Sequence, residues 1–403
     1  MTTTTIQAGY KMTEIGVIPE DWEVKNFKEV SKVNQGLQIA IEKRFKYQVP
    51  NSKKYITIQY LNDAKEVEWI DSYSNSVCCS EDDILMTRTG NTGIVITNVS
   101  GVFHNNFFKI IFDQKILNRQ YLIYYLKFPR TQKTILVKAG TSTIPDLNHN
   151  DFYSICIPVP PKHEQQAIAT ILSDTDELIR SLSALIAKKR QIKEGAMQEL
   201  LTGKKRLAGY SGEWEVKKLG EIADYRNGKS FENSISKNGS YNLITLNSID
   251  IKGKLKKEHL KVDINDNSLS KGDLIMILSD VAHGNFLGLT DVIPEDNKYV
   301  LNQRIGALKN LKNVISRFLS IYINQNQKYF KMSGKGSSQQ NLGKNDILNF
   351  EIRIPPFEEQ QAIAEILSDM DSEITALEQK REKYRLIKQG VMQQLLTGKI
   401  RLI

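Results

Sequence analysis

Several short runs carry residue types of known chemistries, and each lacks a member that its chemistry needs. Pro355-Pro356-Phe357 has the outline of the Asn/Asp-Pro-Pro-Tyr/Phe loop with which amino-methyltransferases hold a target amine. That loop needs a carboxamide or carboxylate acceptor, but Ile354 stands in its place, and the other occurrence reads Val159-Pro160-Pro161-Lys162. His163-Glu164 opens like the zinc motif H-E-x-x-H, yet Ala167 occupies the second histidine position. Gly228-Lys229-Ser230 ends like a phosphate-binding loop, but Ala223 replaces its first glycine. The five histidines form no cluster with Cys or Asp. Cys78, Cys79 and Cys156 suit neither a zinc site nor a disulfide framework. The sequence therefore assigns this chain no catalytic residue, no metal ligand and no cofactor of its own.

A different chemistry is open to the polar loops. Arginine reads guanine, and asparagine or glutamine reads adenine, through paired hydrogen bonds in the major groove. Lysine, serine and threonine suit phosphates. The first half of the chain offers Lys43, Arg44, Arg88, Thr89, Asn91, Thr92, His104, Asn105, Thr141, Ser142 and Thr143. The second half offers Lys229, Ser230, His283, Asn285, Asn302, Gln303, Arg304, Lys335, Ser337, Ser338, Gln339 and Gln340. Arg88 and Arg304 are the strongest candidates, because strand-like runs beside them would hold the side chain. Against any single loop stands the ordinary role of Asn and Gly in turns.

These loops need a scaffold to position them. At 403 residues, with 40% hydrophobic and 25% charged positions, the chain has room for two or three soluble domains. A net charge of +9 favours a polyanionic partner. No apolar run suggests a membrane span, and the first residues lack the apolar stretch of a secretory leader, so a reducing cytoplasm is the expected compartment.

Self-comparison supplies the organisation. Ile157 to Leu207 and Ile352 to Leu402 align without a gap and match at about 30 of roughly 51 positions. Trp22-Glu23-Val24-Lys25 recurs as Trp214-Glu215-Val216-Lys217, and Asp83-Ile84-Leu85-Met86 resembles Asp273-Leu274-Ile275-Met276. The loops between do not match, so two copies of one fold carry different surfaces. Each long repeat opens with Pro-Pro and closes with Leu-Leu-Thr-Gly, the punctuation of a helix start and stop. A helix of that length would reach about 60 Å. The apolar spacing places Ile168, Ile171, Leu178, Leu182, Leu185, Ile192 and Ala196 on one seam of the first helix. In the second, the same spacing takes Ile363, Ile366, Met370, Leu377, Tyr384, Ile387 and Val391. A lone stripe would face water, so each helix is expected to pair with the other, antiparallel, with the globular units at opposite ends. The helix cations Lys188, Lys189, Arg190, Lys193, Lys383, Arg385 and Lys388 then form either a solvated face or a surface toward phosphates.

The approach segment Tyr10 to Trp22, and the twin blocks Pro160-Pro161-x-x-Glu164-Gln165-Gln166-x-Ile168 and Pro355-Pro356-x-x-Glu359-Gln360-Gln361-x-Ile363, resemble the specificity (S) subunit of Type I restriction-modification systems. Gly336-Ser337-Ser338-Gln339 looks like that family's closing loop; Thr141-Ser142-Thr143-Ile144-Pro145 departs from it. The resemblance implies an α+β chain: two pseudo-repeated α/β target recognition domains joined by two long helices in an antiparallel coiled coil. The expected limits are 1–156 and 208–351 for the recognition domains, and 157–207 and 352–403 for the helical regions. It implies double-stranded DNA as ligand, two modification (adenine methyltransferase) subunits as partners, and restriction and translocase subunits beyond them. S-adenosylmethionine, ATP and Mg2+ would sit on those partners, with Glu164, Gln165, Gln166, Glu359, Gln360 and Gln361 as expected docking residues. The subunit of a related system that cleaves both sides of its target, and a stand-alone DNA binder, remain alternatives.

Overall fold

The computed structural model describes residues 6–62, 67–140, 143–281, 285–336 and 339–402. It divides into two units, one formed by residues 1–183 and 379–403, the other by 184–378. Each unit thus takes one globular region and a part of both long helices, Lys162–Leu200 and Phe357–Leu395, which have 39 residues each. Among the described residues no helix is long and apolar enough to cross a membrane.

In the first unit Ile84–Thr87 is one of two inner strands of an antiparallel sheet ordered Ser31–Gln35, Phe107–Phe112, Ile84–Thr87, Val95–Ile96. All four residues of that strand are buried, because both faces of the sheet are covered. Ile84 and Met86 join the core built with the helices Arg119–Lys127 and Pro129–Ala139 and with Ile168, Leu172, Met392 and Leu395. Leu85 points the other way, into a core with Ile56 and Phe103 of a second, mixed sheet. The period-two alternation of a strand explains this division.

The second unit repeats the plan with other residues. Leu274–Ile277 lies inside the sheet Asp224–Asn227, Ile305–Lys309, Leu274–Ile277, Thr290–Val292. Leu274 and Met276 face the core shared with Phe318, Ile363 and Leu367, whereas Ile275 and Ile277 face Ile244 and Leu301. In both units a strand preceding the globular region pairs antiparallel with the strand leading into a long helix: Glu23–Asn26 with Cys156–Val159, and Glu215–Lys218 with Glu351–Ile354.

The helix segments run antiparallel within each unit. In the second unit Lys189 meets Glu373 at 2.7 Å and Lys193 meets Asp371 at 2.5 Å. In the first, Asp176 meets Lys388 at 2.6 Å. Lys189, Arg190, Lys193 and Lys388 therefore hold carboxylates on the facing helix rather than forming a free cationic face.

The buried seam corrects the one predicted from aliphatic spacing. Ile168, Leu172, Leu182 and Ile186 are buried, but Ile171, Leu178, Leu185 and Ile192 are 38, 36, 39 and 48% exposed. On the second helix Ile363, Leu367, Ile374 and Leu395 are buried, and Ile387 is 42% exposed. The three-four alternation holds, but its register passes through Thr175, Lys189 and Lys193 on one helix and Arg381 and Lys388 on the other. Cross-helix carboxylates let the seam accept the lysines, so the buried seam keeps Ile168, Leu182 and Ile363 of the expected row and leaves Ile171, Leu178, Leu185, Ile192 and Ile387 outside it.

Candidate nucleic-acid interface

The loops after the inner strand build an edge in each unit. In the first, the Arg88 amide donates to the Asn106 carbonyl at 2.7 Å, and the Leu147 amide donates to the Arg88 carbonyl at 2.8 Å. Thr89 forms a bridge with Asp146, and Leu37 with His104. Residues 88–92, 104–106 and 143–147 therefore meet. Gly36 makes the approach possible: a Cβ there would lie 2.1 Å from the Phe103 carbonyl oxygen. At the corresponding Gly228 a Cβ would lie 2.0 Å from the Asn302 carbonyl oxygen, which explains the glycine of the Gly228-Lys229-Ser230 run.

The Arg88 side chain is engaged within this edge. Its guanidinium lies 2.9 Å from Asp146, over the Phe108 ring, with the side chain only 13% exposed. Thr89 Oγ1 donates to the same carboxylate at 2.5 Å. Thr92 is buried and donates to the Arg88 and Pro145 carbonyls at 3.0 and 2.9 Å. Arg44 donates to Glu68 at 2.9 Å and to the Ile39 carbonyl at 2.7 Å. His104 Nδ1 accepts from the Asn106 amide at 3.1 Å. Burial lowers its pKa, so at neutral pH the ring is uncharged. Asn105 donates to Gln38 at 2.9 Å, and its Oδ1 has no partner among the described residues. Lys43, Asn91 and Thr143 are exposed.

In the second unit four separated segments converge near the end of Leu274–Ile277. Lys229 bridges Asn302, and the Leu278 amide donates to the Arg304 carbonyl at 3.0 Å. Ser279–Val281 pairs with Gln339–Asn341, and Lys335 bridges Asn341. Lys229, Ser230, Gln303, Arg304 and Lys335 are exposed. Arg304 makes no side-chain hydrogen bond or ion pair among the described residues, so it keeps all its donors. Gln303 donates to Glu232 at 3.4 Å, Gln339 donates to Asn341 at 3.3 Å, and Gln340 Oε1 has no partner among the described residues. Asn302 is buried, its Oδ1 accepting from the Phe231 amide at 3.4 Å, so it supports the loop. Asn285 accepts from Lys331 at 3.1 Å and lines a cleft with Arg317 instead of this edge. Thr141, Ser142, His283, Ser337 and Ser338 lie outside the described residues.

The expected docking residues are mostly internal. Glu164, Gln165 and Glu359 are 0% exposed and Gln360 is 1% exposed. Gln165 accepts from the Asn118 amide at 2.7 Å and donates to the Pro160 carbonyl at 2.8 Å; Gln360 does the same with Ile315 and Pro355 at 2.9 and 2.9 Å. These amides cap the segment entering the first helix turn. Only Gln166 and Gln361 face solvent.

The glutamates anchor groups that spacing did not single out. Glu164 accepts from Trp22 Nε1 at 2.9 Å and from Arg401 Nε and Nη2 at 2.8 and 2.9 Å. Glu359 accepts from Trp214 Nε1 at 3.2 Å and from Arg206 Nε and Nη2 at 2.6 and 2.6 Å. Burial would raise the Glu164 pKa, but the bonds from Arg401 and Trp22 outweigh it and hold the carboxyl below its ordinary value. Each arginine belongs to the Thr-Gly-Lys-x-Arg-Leu run closing one long repeat, and each glutamate to the block opening the other. The repeated Trp and Arg were the available signal.

Comparison with known proteins agrees with this duplicated plan. The chain matches the family described as Type I restriction modification DNA specificity domain twice, over residues 19–192 and 211–385. The Type I restriction enzyme MjaVIII specificity subunit of Methanocaldococcus jannaschii is 28% identical over 406 residues, covering 95% of this chain and 94% of that protein. The S subunit of a Type-I restriction-modification system from M. genitalium superposes with a TM-score of 0.60 at 16% identity, over 93% of this chain and 96% of that one. A chain solved in work on complex assembly and conformational transition of the type I R-M system gives a TM-score of 0.58 at 16% identity, over 95 and 99%. At such identities the two structures speak to fold.

Proposed function

Because the chain belongs to the Type I restriction modification DNA specificity domain family and carries the domain twice, we propose that its two globular regions read the two halves of one asymmetric, split double-stranded DNA target. The observation that carries this reading is the contrast within the duplication. The Trp-Glu-Arg anchors, the Gln caps and the inner strands recur almost atom for atom, while the edge loops differ in sequence and in bonding. One edge has Arg88 closed onto Asp146; the other leaves Arg304 without a side-chain partner among the described residues. Different donors at corresponding edges select different bases.

The chain itself does no covalent chemistry in this account. The long helices set the separation of the half-sites and dock two modification subunits, which bring S-adenosylmethionine and methylate adenine. Restriction and translocase subunits bring ATP and Mg2+ to the assembly, in the cytoplasm. Exposed aliphatic side chains support a covered surface: Ile171 and Leu178 in the first unit, Leu185 and Ile192 in the second. Gln166 and Gln361 remain exposed beside the helix starts.

Inserting one heptad at matched positions of both long helices tests the reading. The tolerated spacer should lengthen while both half-site sequences stay the same. An unchanged spacer in a folded variant contradicts the ruler role.

A further inference from the structure

Within the second unit a short hairpin reaches from the globular region to the long helices. Ile249 and Leu255 form its base bridge. Asp250 Oδ1 accepts from the amides of Lys252 and Lys254 at 2.8 and 2.9 Å, which fixes the turn. Gly253 sits at φ +72°, and a Cβ there would lie 2.5 Å from Asn324 Nδ2. The hairpin is therefore a shaped element packed on its own domain.

Its two lysines end on the second long helix. Lys254 lies 3.2 Å from Asp371, and Lys252 lies 3.4 Å from Glu378. The two acids are two helical turns apart, so they share a face. Each also holds a cation from the first long helix, Asp371 with Lys193 and Glu378 with Arg190. Each carboxylate thus joins three elements. The contacts span a cleft of about 790 Å³ lined by both sides. At the hairpin base the Leu255 amide donates to Asp291 at 2.7 Å, and Arg317 donates to Asp291 at 2.8 Å and to Ser368 of the helix at 3.3 Å.

The main attachment of this globular region to the helices is the apolar core around Phe318, Ile352, Ile363 and Leu367. The Gln360 and Glu359 bonds reinforce that core at the start of the second helix. Arg317 on Ser368 and the hairpin lysines on Asp371 and Glu378 attach the region farther along it. We propose that Lys252 and Lys254 are positioning residues: they clamp the hairpin to Glu378 and Asp371 and fix the angle at which the second recognition region meets DNA. This inference rests on the split-target reading. Half-exposed ion pairs add little to global stability, so their effect is sought in position rather than in melting temperature.

The test compares the full chain, assembled with its modification subunits, with K252A/K254A and K252R/K254R. Methyl transfer is measured on duplexes carrying the mapped target with its natural spacer and with one base pair added or removed. Hydrogen exchange at the amides of residues 249–255 is followed in parallel. For the alanine pair we expect faster exchange, an unchanged melting temperature, unchanged half-site preference and about a tenfold loss of discrimination against altered spacers. The arginine pair should restore discrimination, and about 1 M salt should mimic the alanine pair in exchange. Unchanged exchange overturns the clamp whatever the DNA results are. Faster exchange with full discrimination overturns the positioning role. A wild-type complex indifferent to spacer length overturns the split-target reading, and the positioning role with it, while exchange still decides the clamp.

Discussion

Arg401 closes on Glu164 across 237 positions of chain, Nε to Oε1 at 2.8 Å and Nη2 to Oε2 at 2.9 Å. The carboxylate is 0% exposed and the guanidinium also holds Asp21 at 2.7 Å. Removing the cation strands a buried charge, so Arg401→Ala should lower the stability of the first unit by about 3 kcal/mol in denaturant unfolding. The equivalent Arg206 is more open, at 30% against 19% exposed, and has a backbone carbonyl, Gly212, where Arg401 has Asp21. Arg206→Ala should therefore cost less. Equal losses would remove the distinction between the two anchors.

Acid should loosen the first unit through the same group. Hydrogen bonds from Arg401 and Trp22 overcome burial to depress the Glu164 pKa below 4.5, its ordinary value. Asp21 is lowered too, chiefly by its bond from Arg401. A depressed folded value gives stability that is present above the ordinary value and lost as pH falls through the folded one. Urea midpoints should therefore fall below about pH 4.5, and Glu164→Gln, though less stable at neutral pH, should show a flatter decline. A variant as steep as the parent would place the acid sensitivity elsewhere.

Arg304 and Arg88 should separate in their effects. Arg304→Ala should leave the melting temperature unchanged and relax selectivity at one base of one half-site by about 1–3 kcal/mol, read by competition binding. Arg88→Ala frees Asp146 and the loop behind it, so it should lower stability before it alters any base preference. The reverse pattern would exchange the roles assigned to the two residues.

Much of this architecture was legible in the sequence because it is repeated. The Pro-Pro starts and Thr-Gly stops bound two 39-residue helices, and the apolar runs around Met86 and Met276 are the inner strands. The seam was harder to place, since Lys189 and Lys193 occupy seam positions and only a carboxylate on the facing helix makes them acceptable there. Glu164 and Glu359 looked like surface residues because charge usually is. Their burial depends on Arg401 and Arg206, which lie far along the chain, a pairing no local pattern contains. The pairing of Arg88 with Asp146, 58 positions on, is likewise absent from any local pattern.

Exchanging residues 208–351 for the corresponding region of another member of the family should change one half-site and leave the other intact. The readout is the set of methylated adenines. Simultaneous change of both half-sites would mean that the units do not read independently.

The most direct measurement is single-molecule sequencing of methylated adenines in DNA from cells that carry this chain and its modification partner. The account predicts one motif made of two different half-sites around an unread spacer of fixed length, methylated once in each half. A perfect palindrome, or a continuous site without a spacer, would contradict it.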